Sequence, residues 1–242
     1  MIRNYLSVLM IFHSFILNAQ PIPSTVYHAK ENGVMIKGES NVANPYSIET
    51  VKLKPGQQYA HKLIGSENLI INKQGVLGLQ SKQLNVPAFT KNSIAIIMNG
   101  DQYTLKNTMQ QDAAFYIISL TCKASLEHRD TCHSFVRLWE DVPFKTHEKG
   151  GVRNFFKQAT SETQVLDMHV TTLNAGLKSH DPHTHKAEEI VVMIEGHTEM
   201  QIGDQFYQGK SGDVYFLGSM IPHAIRNTSF DKPSTYYAIQ WD

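Results

Sequence analysis

The chain has 242 residues, 22 Lys and Arg against 22 Asp and Glu, and a hydrophobic share of 41%, enough to fill one large or two small cores. Zero formal net charge and a sequence pI near 7.2 argue against the basic footprint of a nucleic-acid binder. Only 18% of residues are charged, while Tyr, Phe, Val, Ile and Thr are plentiful, so the composition leans towards β structure.

Residues 1–20 open with Arg3, continue with an apolar run over 6–17 broken by Ser7, His13 and Ser14, and end near Ala19. This pattern predicts a secretory signal peptide cleaved near Ala19 and a periplasmic or secreted protein. The run is short and interrupted against the ~20 residues of a membrane span, so no stable membrane anchor is expected. Residues 21–40, with Pro21, Pro23 and one strand-like piece at Val34 to Ile36, read as an arm or edge strand.

Sliding the second half of the chain back by about 120 residues exposes an internal repeat. Leu173 and Gly176 lie over Leu53 and Gly56, and Val214, Phe216 and Leu217 over Ile94, Ile96 and Ile97. His183 falls on His61, His185 on Leu63, Glu189 on Glu67 and His223 on Tyr103. The repeat divides the chain into a degenerate N-terminal domain at 21–123, a linker at 124–160 and a C-terminal domain at 161–242.

Cys122 and Cys132 close a loop of about ten residues, and an oxidising compartment favours a disulfide worth up to ~3 kcal/mol. The rival use, a zinc site with His128 and His133, fits no standard spacing. In the linker, Gly150 to Phe156 can lay Arg153 and two aromatics over a neighbouring domain, making Arg153 a candidate for a substrate anion. In the strand-like stretch that follows, Leu166, Met168 and Val170 share one face and His169 the other. The apolar face is expected to fill the domain's interior and leave His169 towards solvent or an interface. Were the polar face to line the pocket, His169 would become an acid–base candidate.

His183 and His185, two residues apart, point to one face of an extended chain. Glu189 keeps the even spacing but follows a bend, so it arrives from the adjoining strand, with Glu188 turned away. His223 arrives from a third. Three imidazoles and a carboxylate suit one divalent cation of the Mn, Fe, Zn or Ni class, at about 2.0–2.2 Å. Tyr215 and Gln240 are further pocket candidates.

These residues are also those by which the chain resembles the cupin superfamily. Gly176, His183, His185, Glu189 and Gly196 follow that superfamily's first motif, and Gly212, Pro222, His223 and Asn227 its second. Gly218-Ser219-Met220 stands where a Pro-x-Gly is usual. The resemblance implies an all-β protein of two tandem double-stranded β-helix (jelly-roll) barrels, with one metal in the second and none in the first. The layout is similar to the two-cupin ureidoglycine aminohydrolase type, which implies a Mn-dependent deamination of a ureide. The ligand order departs from it: His183, Glu189 and His223 stand where that family has Glu, His and Gln. By analogy a homodimer is also expected.

A cation in such a shell acts as a Lewis acid on a small oxygen-rich substrate, a sugar acid or ureide-like metabolite, in an isomerase, lyase or hydrolase reaction. The alternatives are an Fe- or Mn-dependent dioxygenase and a non-catalytic sugar- or metal-binding module.

Overall fold

The computed structural model describes residues 20–61, 65–124, 126–127 and 131–242. The expected signal peptide lies outside the described residues, as do Leu63 and His128. Among the described residues, no helix is long and apolar enough to cross a membrane.

Among the described residues, twenty strands, β1 to β20 in chain order, form four sheets. The seven-stranded sheet runs β1 (Thr25–Tyr27), β18 (Val214–Leu217), β15 (Glu188–Glu195), β20 (Ser234–Trp241), β14 (Leu166–Leu173), β13 (Gly150–Gln158) and β12 (Lys145–His147). The six-stranded sheet runs β11 (Phe135–Arg137), β8 (Ile94–Ile97), β5 (Glu67–Gln74), β10 (Ala113–Cys122), β3 (Ala43–Leu53) and β2 (Gly33–Gly38). A four-stranded sheet orders β4 (Gln58–His61), β9 (Tyr103–Asn107), β6 (Leu77–Ser81) and β7 (Asn85–Phe89). A three-stranded sheet orders β17 (Gln205–Lys210), β16 (His197–Ile202) and β19 (His223–Asn227).

The expected pair of closed barrels is therefore corrected. The chain is all-β, but each sheet ends in two edge strands, so none closes on itself. Motif spacing fixes which residues lie on neighbouring strands. Closure depends on hydrogen bonds between edge strands, which no motif encodes.

The sheets stack in four layers with three apolar cores between them. Alternation along the central strands explains this. In β15, Ile190 and Val192 face the six-stranded sheet, while Val191 and Met193 face the three-stranded one. In β10, Tyr116 and Ile118 meet the seven-stranded sheet, while Phe115 and Ile117 meet the four-stranded one. A strand covered on both faces has no need of polar alternation, and β5 and β15 carry the same run of six buried residues. Leu166, Met168 and Val170 of β14 pack in the middle core between the two large sheets, which leaves His169 on the opposite face.

The halves exchange parts across that middle core. β1, from the start of the chain, pairs with β18, while β11, which follows the first half, pairs with β8. Two buried glutamates clasp the opposite half in matching ways. Glu67 accepts from Ser161 Oγ (2.8 Å) and the Glu162 amide (3.2 Å), whereas Glu188 accepts from Ser40 Oγ, the Asn41 amide (2.7 Å) and Trp241 Nε1 (3.1 Å).

This symmetry also corrects the overlay of the repeats by one residue. Glu189 pairs with Gln240 and Leu217, and in the first half it is Asn68 that pairs with Ser119 and Ile97. Glu67 pairs with Leu120 as Glu188 pairs with Trp241. One extra residue between His61 and β5 shifts the register, and a one-residue slip turns a side chain to the other face.

Candidate metal centre

His183 and His223 meet as an antiparallel pair ahead of β15, with backbone bonds of 3.2 Å from the His183 amide and 3.1 Å from the His223 amide. Lys186 and Ala187 form the bend, and β15 begins at Glu188. The Met220 amide, at positive φ (62°), bonds the His185 carbonyl at 2.8 Å and ties the loop before β19 to the histidine pair. Asn227 plays no part in the cluster: its side-chain amide donates to the carbonyls of Leu173 and Lys232, and Asn107 does the same to Leu53 and Gln111.

The ligand-type nitrogens of His183, His185 and His223 lie within 4.8 Å of one another, a spacing that can hold a divalent cation. Glu189 is buried at the base of the cluster. Its Oε2 stands 3.1 Å from His185 Nε2 and 3.4 Å from His223 Nε2, and accepts a 3.0 Å bond from Gln240 Nε2.

The other ring nitrogens fix the tautomers. His185 Nδ1 sits 2.8 Å from the Ala187 carbonyl and His223 Nδ1 2.8 Å from the Ile221 carbonyl. Those carbonyls only accept, so each Nδ1 carries a proton and each Nε2 is left facing the carboxylate, a donor when protonated and a ligand lone pair when not. His223 Nε2 is buried with no well-aligned hydrogen bond among the described residues. This donor set fits a borderline divalent cation better than it fits itself.

The electrostatics agree. Burial alone would raise the Glu189 carboxyl, but the His185 bond, the neighbouring His223 imidazole and the Gln240 bond outweigh it and hold the group down at about 2. The bond to Glu189 raises His185 despite partial burial. Burial, then the neighbouring imidazoles of His180, His223 and His185, lowers His183. The His180 ring stands edge-on to His183 with centroids 4.1 Å apart.

A cavity of about 230 Å³ opens on this cluster. Its sheet wall is a set of cross-strand rows: Glu189 and Gln240 in the first, then Val191, Ala238 and His169, then Tyr236 and Thr171. The polar face of β14 therefore lines the cavity, and His169 points into it instead of out to solvent. Met200 and Ile225 of the three-stranded sheet form the facing wall.

Two other candidates lie elsewhere. The Arg153 guanidinium donates to the Val142 carbonyl and stacks over Trp139 (4.4 Å), beside a separate cavity. Tyr215 is fully buried, its hydroxyl bonded to Thr198 under Gly209, where an added Cβ would come within 2.2 Å of that oxygen. Cys122 and Cys132, expected as a disulfide, are both half-buried. Tyr236, Thr171 and Ser179 were not singled out from sequence. Their signal was the parity of β20, since Tyr236 and Ala238 share the face of Gln240. A larger hollow of about 790 Å³ beside His28, His197 and Phe230 is open to solvent and lies away from the histidine cluster.

In the first half the matching positions are His61, Asn68 and Tyr103. His61 stacks on Tyr103 at 5.1 Å, and burial lowers its pKa. Asn68 accepts from Ser119 at 2.6 Å. Neither Asn68 nor Tyr103 replaces the donor it stands for.

Residues 169–239 match the family model described as Cupin domain. No curated protein sequence matches the chain. Among solved structures, the fold is similar to a putative glyoxylate-induced protein from Pseudomonas aeruginosa (TM-score 0.71, 18% identity, covering 87% of this chain and 80% of that one). An IolB-like protein from Salmonella typhimurium scores 0.69 at 11% identity, covering 91% and 93%. The formate complex of oxalate decarboxylase from Lactobacillus farciminis scores 0.65 at 12% identity, covering 95% and 88%. At these identities the likeness is one of fold.

Proposed function

We propose that the chain is an exported metal-dependent enzyme. One divalent cation, held by His183, His185, Glu189 and His223, would serve as a Lewis acid on a small oxygen-bearing metabolite such as a sugar acid or a ureide. The observation that carries this is the shared aim of His185 and His223. Each ring commits Nδ1 to a backbone carbonyl and turns Nε2 on one Glu189 oxygen. Two lone pairs and a carboxylate oxygen repel one another unless a proton or a cation lies among them.

When bound, the cation supplies polarisation of a substrate carbonyl or carboxylate. The remaining work belongs to the chain. Glu189 stays anionic and offsets part of the positive charge, and Gln240 holds its Oε2 in place. Val191, Ala238, Met200 and Ile225 keep water off the bound substrate. His169 can hydrogen-bond in either direction at the far side of the cavity.

The test is elemental analysis of the natively purified full chain, followed by metal titration after chelation. One cation per chain is expected, with turnover lost on chelation and restored by metal. A chain that binds no cation refutes the reading. Iron or manganese accompanied by oxygen consumption would move it to a dioxygenase. A cavity over the donors, roomy enough for a small molecule, favours catalysis over a storage module, which would lose only stability with its metal. Export is expected to yield a mature N-terminus near Gln20 in the periplasmic or culture fraction, and a full-length cytoplasmic chain would refute it. In the exported protein, thiol titration is expected to find Cys122 and Cys132 oxidised.

A further inference from the structure

Resting on the metal-dependent reading above, we infer that the substrate is a small monocarboxylate with an oxygen on the adjacent carbon, a 2-hydroxy or 2-oxo acid whose remainder is uncharged and mostly apolar.

Size sets the first limit. The cavity of about 230 Å³ equals the liquid volume of roughly eight waters, so it takes a compact molecule and no nucleotide or disaccharide. Charge sets the second. Glu189 is the only carboxylate among the lining residues, and none of them is Lys or Arg. Two ammonium groups beside the lining residues Ser179 and His180 are already engaged, Lys178 with Asp181 and Lys149 with the Ser179 carbonyl at 2.9 Å.

A divalent cation with neutral imidazoles and one ionised glutamate leaves a single positive charge in the cavity. One substrate carboxylate neutralises it. A second carboxylate, or a phosphate, would be left buried without a partner, which is strongly unfavourable. A cation held by His183, His185, Glu189 and His223 would leave room for a carboxylate oxygen and the oxygen next to it.

The walls describe the rest of the molecule. Beyond the row of Glu189 and Gln240 come Val191 and Ala238, faced by Met200 and Ile225. These side chains suit a short alkyl remainder. His169 lies one row on and two strands across from Glu189, about 12 Å over the sheet face, too far to share the cation. With Thr171 and Tyr236 it offers a hydrogen-bonding end wall, so a terminal hydroxyl is accepted where a charge is not.

The experiment compares 2-hydroxyisovalerate with malate, a dicarboxylate of similar size, by calorimetry on the full chain loaded with zinc or manganese. The monocarboxylate is expected to bind at least about tenfold more tightly, following the penalty on an unpaired buried charge. Thr171→Lys, which brings an ammonium group to the half-buried end wall, should reverse that order. Should this variant not fold, the comparison on the unaltered chain still decides. If the cation loads and malate binds as tightly or more tightly, this inference alone falls. If no cation loads, the metal-dependent reading falls and takes it down as well.

Discussion

Glu67→Gln tests whether the buried carboxylates are clasps between the halves. Glu67 is 1% exposed and receives bonds from Ser161 and the Glu162 amide across the middle core. Burial pushes its carboxyl up to about 7 from 4.5, even though bonds from Ser161, Thr160 and Glu162 favour the ionised form, and the charge of Glu162 adds to the rise. The folded value lies above the unfolded one, so the folded chain holds this proton more tightly. The stabilisation is complete below about pH 4.5 and is lost as pH rises through about 7. A gap of about two and a half units corresponds to about 3 kcal/mol. Glutamine keeps the accepting oxygen and removes the charge. Urea unfolding of chelator-treated chain at about pH 5 and about pH 8 measures the effect through the change in midpoint. Relative to the unaltered chain, Glu67→Gln should gain about 2.5 kcal/mol between those two conditions, because part of the effect is already lost at about pH 5. Subtracting the two curves cancels the histidines, which titrate in both. A difference that does not change with pH would refute the reasoning.

Four shorter tests bear on the site and the seam. Metal titration should saturate at one cation per chain, because Asn68 and Tyr103 stand in the first half where the second has Glu189 and His223, and His223→Ala should lose at least about a hundredfold in affinity. Uptake should already weaken as pH falls towards 6.5, since Glu189 raises His185 above that value and a protonated imidazole cannot ligate, with competition calorimetry as the check. Gln240→Leu should cost about tenfold in metal affinity with little change in thermal midpoint, because it frees the Glu189 oxygen without emptying a core. Ser40→Ala should cost about 1–3 kcal/mol in urea unfolding, the range for a buried acceptor that loses one partner.

The legible part of the molecule was what depends on spacing within one strand or on a short turn. Two residues put His183 and His185 on one side, and strand alternation turned Glu188 away from Glu189. Pairing between distant strands was less legible. The overlay of Glu67 on Glu189 failed because one residue separates the loops before β5 and β15, and apolar periodicity survives such a slip where ligand identity does not. His169 was set towards solvent because its apolar neighbours were assigned to the interior of a single domain. They fill the space between two sheets instead, and the polar face is left to the cavity. Arg153 looked like an anion receptor since sequence cannot show that Trp139 and the Val142 carbonyl already occupy its guanidinium.

A first half without its ligand set still has work to do at the metal centre. Glu188 and Glu189 are adjacent on β15 and point to opposite faces, so fixing one fixes the other. Glu188 is fixed from the first half by Ser40 and the Asn41 amide, with Trp241 closing the third side and stacking on Tyr46 at 5.4 Å. On the far edge of the same strand pair, Ser24, just before β1, accepts from the Gly218 amide at 2.9 Å, and Met220 two residues on bonds the His185 carbonyl. The loop that presents one histidine and the strand that presents the carboxylate are thus both held by residues near the start of the chain. Removing residues 20–41 should therefore weaken metal binding more than any single cavity substitution outside the four donors, although none of those residues reaches the cation. Metal calorimetry on the truncated chain, with circular dichroism to confirm that it folds, would test this. An unchanged affinity in a folded product would mean that the second half organises its donors alone.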